Sequence, residues 1–332
     1  MSREQDVLRP PQDPSSFLSI APEIHGLAEI EFVTLLNKDS TNMVPSDWSA
    51  MANAIHDRLD LGFGGFVVIH GTDTMHHSAS ALAFAFGSGL NVPVVFTGAQ
   101  TDASVLHGDA RINLIRAVRV ALEPIAEVVI AFGDYVYRGS RAQKCDRRLF
   151  RAFESPAVPP VATISEKILL HPSVHRVTPE QRPLDFRPSF DADIVQVTLI
   201  PGLKPSLMAP LLESSSLHGI VLQCYGAGNV PDFEEYSFLP FIEEAFRRNI
   251  PLIITSQFSA DSTDDSSYEP GVKAIQAGAI PTGNMTGAAA AVKFRWILSL
   301  LSQEIHSRVT VSSDKIARVK ALMATPYVDE MD

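Results

Sequence analysis

Short apolar runs rich in β-branched residues alternate along the chain with segments of helical spacing, and that alternation limits the folds open to it. "EIEFVTLL" (29–36) precedes "PSDWSAMANAIHDRL" (45–59), and "GFVVIHG" (65–71) precedes "TMHHSASALAFAFGSG" (74–89). "PVVFTGAQ" (93–100) precedes "DARINLIRAVRVALEP" (109–124), and "EVVIAFGDYVY" (127–137) reads as one further strand. Continuous apolar strands, each joined to the next through a helix, predict a parallel sheet covered on both faces. The first helix is predicted with Pro45 near its first position and Trp48, Met51, Ile55 and Leu59 on one face.

From about residue 150 a Pro-rich stretch with short strand-like pieces reads as a connector, after which the alternation returns. "DIVQVTLIPG", "SLMAPLLESS", "GIVLQCYGAGN", "FLPFIEEAFRRN", "PLIITSQF" and "PGVKAIQAG" lead to two closing helices, "GAAAAVKFRWILSLLSQ" and "SSDKIARVKALM". The expected fold is α/β: a doubly wound parallel-sheet domain over 1–150, a connector over 151–190 and a smaller α/β domain over 191–332. With 45% hydrophobic and 20% charged residues, the chain can bury a substantial core. A net charge of −11 leaves no basic surface for nucleic acid. No apolar run reaches the roughly 18 residues of a membrane helix, so no membrane partner is expected. "MSREQDVLRPPQDPSS" has no signal-peptide core, so the cytoplasm is the expected compartment. Two cysteines, Cys145 and Cys224, are too few for a disulfide framework.

Polar residues gather after the strands, at the edge where open α/β sheets bind ligands. Asp39, Ser40, Thr41 and Asn42 come after the first strand; His70, Thr72, Asp73 and Thr74 after the second; Thr97, Gly98 and Gln100 after the third; Lys144 after the fourth. A lysine beside a hydroxyl and a carboxylate can relay the hydroxyl's proton. Each residue also has a plainer reading. Thr72 or Asp73 would serve as a helix N-cap, Ser40 as an ordinary turn residue, and Lys144, among Arg141, Arg147 and Arg148, as a solvated charge. His76 and His77 are adjacent on a helix and so about 100° apart, which argues against a shared metal. "CYGAGN" (224–229) lacks the spacing of a dinucleotide fingerprint, and Cys224 reads as a buried structural thiol.

Taken together, "DSTNM" with "PSDW", "HGTDTM", "VPVVFTGAQ" with "HGDARINLIRAV", "SRAQK" with "FRAFESP", and "GNMTGAAAAVKF" resemble the bacterial-type L-asparaginase (asparaginase/glutaminase) family over nearly the whole chain. Spacing is most similar to the cytoplasmic type I branch. The resemblance implies hydrolysis of asparagine to aspartate and ammonia through an acyl-threonine, with neither metal nor cofactor. It implies that Thr72, Asp73 and Lys144 form the hydroxyl–carboxylate–lysine group. It also implies that Ser40, Thr41, Thr72 and Asp73 bind the substrate, an amino-acid amide, and that Asn229 contacts a neighbouring chain. Assembly is expected as a homodimer or homotetramer. The family's first strand ends in Thr-Gly-Gly-Thr-Ile-Gly-Met, whose first threonine is the usual nucleophile. "MSREQDVLRPPQDPSSFL" resembles the segment just beyond that motif, with Met1 as the motif's last residue and Val7 near the place of a tyrosine. That strand and its nucleophile are therefore expected to be absent here. Three readings are open: an asparaginase-type amidohydrolase read from an internal methionine; a catalytically dead amino-acid-binding or scaffolding homologue; and, ranked last, an amidase subunit that releases ammonia for a glutamyl-tRNA partner.

Overall fold

The structure is a computed structural model that describes residues 2–4, 7–9, 19–179, 183–258, 263, 268–306 and 315–332. Met1, set by the resemblance at the end of the strand motif, lies outside the described residues. The chain forms two compact units, Met1–Pro188 and Ser189–Asp332.

In the first unit, β1 (Ser2–Glu4) and β2 (Val7–Arg9) pair as a small antiparallel ribbon. The main elements are then α1 (Pro45–His56), β3 (Phe66–Ile69), α2 (Met75–Phe86), β4 (Val94–Thr97), α3 (Ala110–Ala121), β5 (Val128–Phe132) and β6 (Tyr135–Arg138). After these come β7 (Gln143–Lys144), β8 (Phe153–Glu154), β9 (Ala162–Ile164) and β10 (Ile168–Leu170). Six of the strands form one sheet in the order β10-β9-β6-β5-β4-β3. β3, β4 and β5 run parallel, as the alternation predicts. Val95, Val129, Ala131 and Val136 on one face meet Ala117, Val120 and Ala121 of α3. Alternate residues point the other way, toward α2, whose Ser80 hydroxyl donates to Gly139 O at 3.0 Å.

Three expectations change. "EVVIAFGDYVY" is a hairpin rather than one strand: Phe132 faces Tyr135 across Gly133–Asp134, where Gly133 has φ +59°. A two-residue turn of that hand matches strand twist and needs glycine. The stretch expected as a connector supplies β8, β9 and β10, and β9 pairs antiparallel with β6, so half of the sheet is not parallel. "EIEFVTLL" forms no strand, and Val33, Leu35 and Leu36 stand exposed. A strand needs a ladder partner. β3 is the sheet's edge, and among the described residues no strand pairs with its outer side. Only Ile30 of this segment joins a cluster, with Ile24, Val67 and Ile69.

The second unit is a parallel sheet of β11 (Ile194–Thr198), β12 (Gly219–Cys224), β13 (Leu252–Ser256) and β14 (Ile280–Pro281) in that order. α4 (Leu239–Arg247) turns Phe241, Ile242 and Ala245 inward, and α5 (Glu269–Gln276) buries Ala274 against the same core. α6 (Gly287–His306) lies so close to β12 that a Cβ on Gly219 would sit 2.4 Å from the Phe294 ring. "SLMAPLLESS" gives two short 3-10 turns, Pro205–Leu207 and Ala209–Glu213, because Pro210, with no N–H, cannot continue α-helical bonding from the first into the second.

Past α7 (Lys315–Met323), the tail is tied to α6 by a fully buried ion pair. Lys293 Nζ lies 2.6 Å from Glu330 Oε1 and donates to Met323 O and Thr325 O, each at 2.7 Å. Glu330 in turn accepts the backbone N–H groups of Tyr327 and Val328. Removing one partner strands the other's charge in an apolar interior. Glu330→Ala is expected to lower unfolding free energy by about 3–5 kcal/mol in urea titrations; a loss below about 1 kcal/mol would show that the pair carries no such weight.

Candidate active site

The parallel register of β3 and β4, with Ile69 opposite Thr97, delivers both strand exits to the same edge. His70 N donates to Thr97 O at 2.9 Å, extending the ladder one residue past the strands. The exits then close so tightly that a Cβ on Gly98 would lie 2.2 Å from His70 O. Glycine is required there. A Cβ on Gly71 would likewise meet Ser40 Oγ at 2.6 Å, so the turn after β3 rests against the Ser40 segment.

Ser40 is buried and opens a 3-10 turn over Ser40–Asn42. Asp39 caps that turn, its carboxylate accepting from both Thr41 N and Thr41 Oγ1 at 2.8 Å. Thr41 thus has its hydroxyl directed at Asp39. Thr74 donates its hydroxyl to Ser40 O at 2.7 Å, linking the two strand exits. Thr74, not Thr72 or Asp73, is the N-cap of α2, and it makes no side-chain cap bond. The capping reading of Thr72 and Asp73 therefore falls away.

Lys144 sits on the β7–β8 hairpin, opposite Phe153. Its ammonium donates to Thr72 Oγ1 at 2.7 Å and to Asp73 Oδ1 at 2.6 Å. The lysine side chain is 12% exposed and Asp73 57% exposed, so Lys144 is no solvated surface charge. The arrangement is a buried cation with one face on a hydroxyl and the other on a carboxylate that opens to solvent. Thr72 Oγ1 also donates to Gln100 Oε1 at 3.2 Å. The Gln100 amide cannot flip, because its Nε2 donates to Asp146 O at 3.0 Å and Leu149 O at 3.3 Å. Its backbone N–H bonds the buried Asp109 carboxylate. The sequence places Gln100 at a strand exit, but the hairpin carbonyls that orient it lie more than 40 residues away.

His76 and His77 lie beside this cluster, with ring centroids 4.3 Å apart. Burial pushes His77 down to about 4. Burial, with repulsion from His77 and Lys144, pushes His76 down to about 3. Both rings are neutral near pH 7, and their buried Nδ1 atoms have no hydrogen-bond partner among the described residues. In the second unit, Cys224 is buried and its thiol pKa is driven upward by burial, which makes it an inert core group. Asn229 closes the turn after β12, where Gly226 and Gly228 have φ +44° and +94°. Its backbone N–H donates to Tyr225 O at 2.7 Å, while its buried Oδ1 finds no partner among the described residues.

Two family models match the chain: "Asparaginase, N-terminal" over residues 1–175 and "Glutaminase/Asparaginase C-terminal domain" over 193–306. An L-asparaginase of Thermococcus kodakarensis is 33% identical over 271 residues, 82% of this chain and 80% of that protein. L-asparaginase 1 of Escherichia coli K12 is 33% identical over 298 residues, 86% of this chain and 82% of that one. The solved structure of the thermostable Thermococcus kodakarensis L-asparaginase superposes with TM-score 0.86 at 27% identity, covering 100% of this chain and 95% of that chain.

The two histidines give the protein an acid-sensitive element. With folded values near 3 and 4 against 6.5 when unfolded, the unfolded chain binds more protons below about pH 6.5. Stability is then lost as pH falls from there toward about 3. Urea midpoints at pH 7 and pH 5 should differ less in His76→Gln/His77→Gln than in the unaltered protein. An equal drop in both would show that these rings do not set the slope.

Proposed function

The chain belongs to the L-asparaginase family and is a hydrolase of that type; from this premise we propose that it converts L-asparagine and water to L-aspartate and ammonia through an acyl-threonine. The observation that carries the reading is the Lys144 ammonium held within 2.7 Å of Thr72 Oγ1 and 2.6 Å of Asp73 Oδ1. Thr72, Asp73 and Lys144 are the catalytic group of this proposal. Lys144, in its amine form after giving a proton to solvent, takes Thr72's proton as Thr72 takes the nucleophile's, and the same proton passes back through Thr72 to the departing amine. Asp73, still half open to solvent, receives the substrate's α-ammonium. Ser40 donates to the α-carboxylate, with Thr41 holding the turn that presents it. An amino-acid zwitterion satisfies both ends at once.

The acyl group in this proposal is carried by a threonine that faces Thr72 from a strand laid along the outer side of β3. Supporting it is the edge position of β3, whose outer side pairs with no described strand. Asn229, with its unpartnered Oδ1, is the substrate contact offered by a neighbouring copy in a homodimer or homotetramer. Among the described residues no helix is long and apolar enough to cross a membrane; we assign the cytoplasm from the likeness to the type I branch. The dead-homologue reading is not favoured, given the family membership.

Ammonia release from asparagine by the native protein tests the function, and a protein that binds aspartate but releases none would overturn it. Lys144→Met is expected to cut turnover about 10²-fold or more with the fold intact; a fully active variant would remove the lysine from the chemistry. Asp73→Asn should weaken aspartate binding by about 1.5–3 kcal/mol in calorimetric titration, and unaltered affinity would take away its ammonium-binding role. Peptide mapping of an acid-quenched acyl-enzyme should find the aspartyl adduct outside residues 65–86. An adduct on Thr72 would make Thr72 the nucleophile.

A further inference from the structure

His70 faces two ways at the base of the site. Its Nδ1 lies 2.6 Å from Gly71 O and its Nε2 lies 3.0 Å from Ser78 Oγ. The same hydroxyl is 3.1 Å from Trp48 Nε1, on α1. Donor and acceptor chemistry leaves one assignment once the ring is neutral. An indole N–H can only donate and a carbonyl oxygen can only accept. Trp48 therefore donates to Ser78 Oγ, and His70 Nδ1 carries the proton shared with Gly71 O. Burial pushes the His70 pKa down, against smaller opposite contributions from the Gly71 carbonyl and Asp47, so the ring is neutral and Nε2 bare. Ser78 then donates its own proton to Nε2. Every group in the chain Trp48–Ser78–His70–Gly71 is satisfied once.

We propose that His70, locked as the neutral Nδ1–H tautomer by Ser78 and Trp48, is a positioning residue that holds the Gly71 peptide and through it the register of Thr72 against Ser40 and Lys144. Gly71 is the pivot because its α-carbon rests on Ser40, within 2.6 Å of Ser40 Oγ for any added Cβ, and its carbonyl opens the peptide that leads into Thr72. Rotating that peptide would swing Thr72 Oγ1 away from Lys144 Nζ, now 2.7 Å away. Displacements of about 1 Å from reactive geometry cost up to about 10²-fold in rate. The inference rests on the reading of Thr72 as a catalytic group.

Long-range proton–nitrogen correlation spectra of the uniformly ¹⁵N-labelled native protein at neutral pH read the tautomer directly. A His70 ring with protonated Nδ1 and bare Nε2 is expected; a protonated Nε2, in either a neutral or a charged ring, overturns the proposal. In kinetics, His70→Phe keeps the ring volume and loses the N–H, and is expected to lower kcat about tenfold or more with KM little changed. His70→Asn sets an amide N–H where Nδ1 stood and should recover most of that loss. A folded Asn variant no better than Phe, or a Phe variant with full kcat, overturns it. Lys144→Met run in parallel separates the failures: if it too keeps full turnover, the active-site reading is at fault, and if it alone is crippled, only the role of His70 is. Should His70→Phe fail to fold, the tautomer and the Asn variant decide the matter.

Discussion

Gly98 passes so close to the His70 carbonyl that no side chain fits there, and the site depends on that contact. Two parallel strands whose last residues face each other would ordinarily splay as their chains leave the sheet. Here the ladder continues through His70 N to Thr97 O, and the missing side chain at Gly98 lets the next peptide pass within van der Waals limits of His70. That contact fixes where Gly71, Thr72 and Asp73 emerge. It also fixes Gln100, two residues beyond Gly98, close enough to accept from Thr72 Oγ1. A methyl group at residue 98 would have to displace backbone, not a flexible side chain, so the geometry has little room to adjust.

On this frame the electrostatics has a direction. Lys144, 12% exposed, has two partners for its ammonium. One, Asp73, is itself open to water, so it can balance the ammonium and still meet an incoming cation. The other, Thr72, is nearly buried, with its proton aimed at Gln100 and its lone pair at Lys144. Moving a proton from Thr72 to the lysine requires the hydroxyl to turn from one to the other. Gln100 therefore holds the resting orientation, and its anchors, Asp109 and the carbonyls of Asp146 and Leu149, tie that orientation to the hairpin that carries Lys144.

Much of this was legible in the residues. Buried β-branched runs of four or five, such as Val94–Thr97 and Val128–Phe132, can only be interior strands, and the polar residues after them fall at one edge because parallel strands share a direction. The meeting of Thr72, Asp73 and Lys144 was suggested by resemblance and by coincidence at strand exits, while its distances come from a β7–β8 pairing that no local pattern announces. The misread pieces share one physical cause. A strand is a property of its neighbours as much as of its own side chains: residues 29–36 have strand composition and no partner, whereas Ala162–Ile164 sits in a Pro-rich context and pairs with β6. Gly133–Asp134 did carry its turn signal, hidden between two apolar runs that read as one.

β3 carries the HGTDT turn and, among the described residues, is the outermost strand of its sheet. A central strand is held by ladders on two sides, but β3 has a described ladder only to β4. Its exit is also held by bonds from outside the sheet. Ser40 O accepts from Thr74, Ser78 bonds His70, Trp48 bonds Ser78, and Lys144 spans Thr72 and Asp73. Three of these cross-links reach across thirty residues or more, so each closes a long loop whose entropy was lost when the fold formed. Side-chain bonds from helices α1 and α2 and from a separate hairpin therefore act with the β3–β4 ladder to set where the Thr72 hydroxyl points.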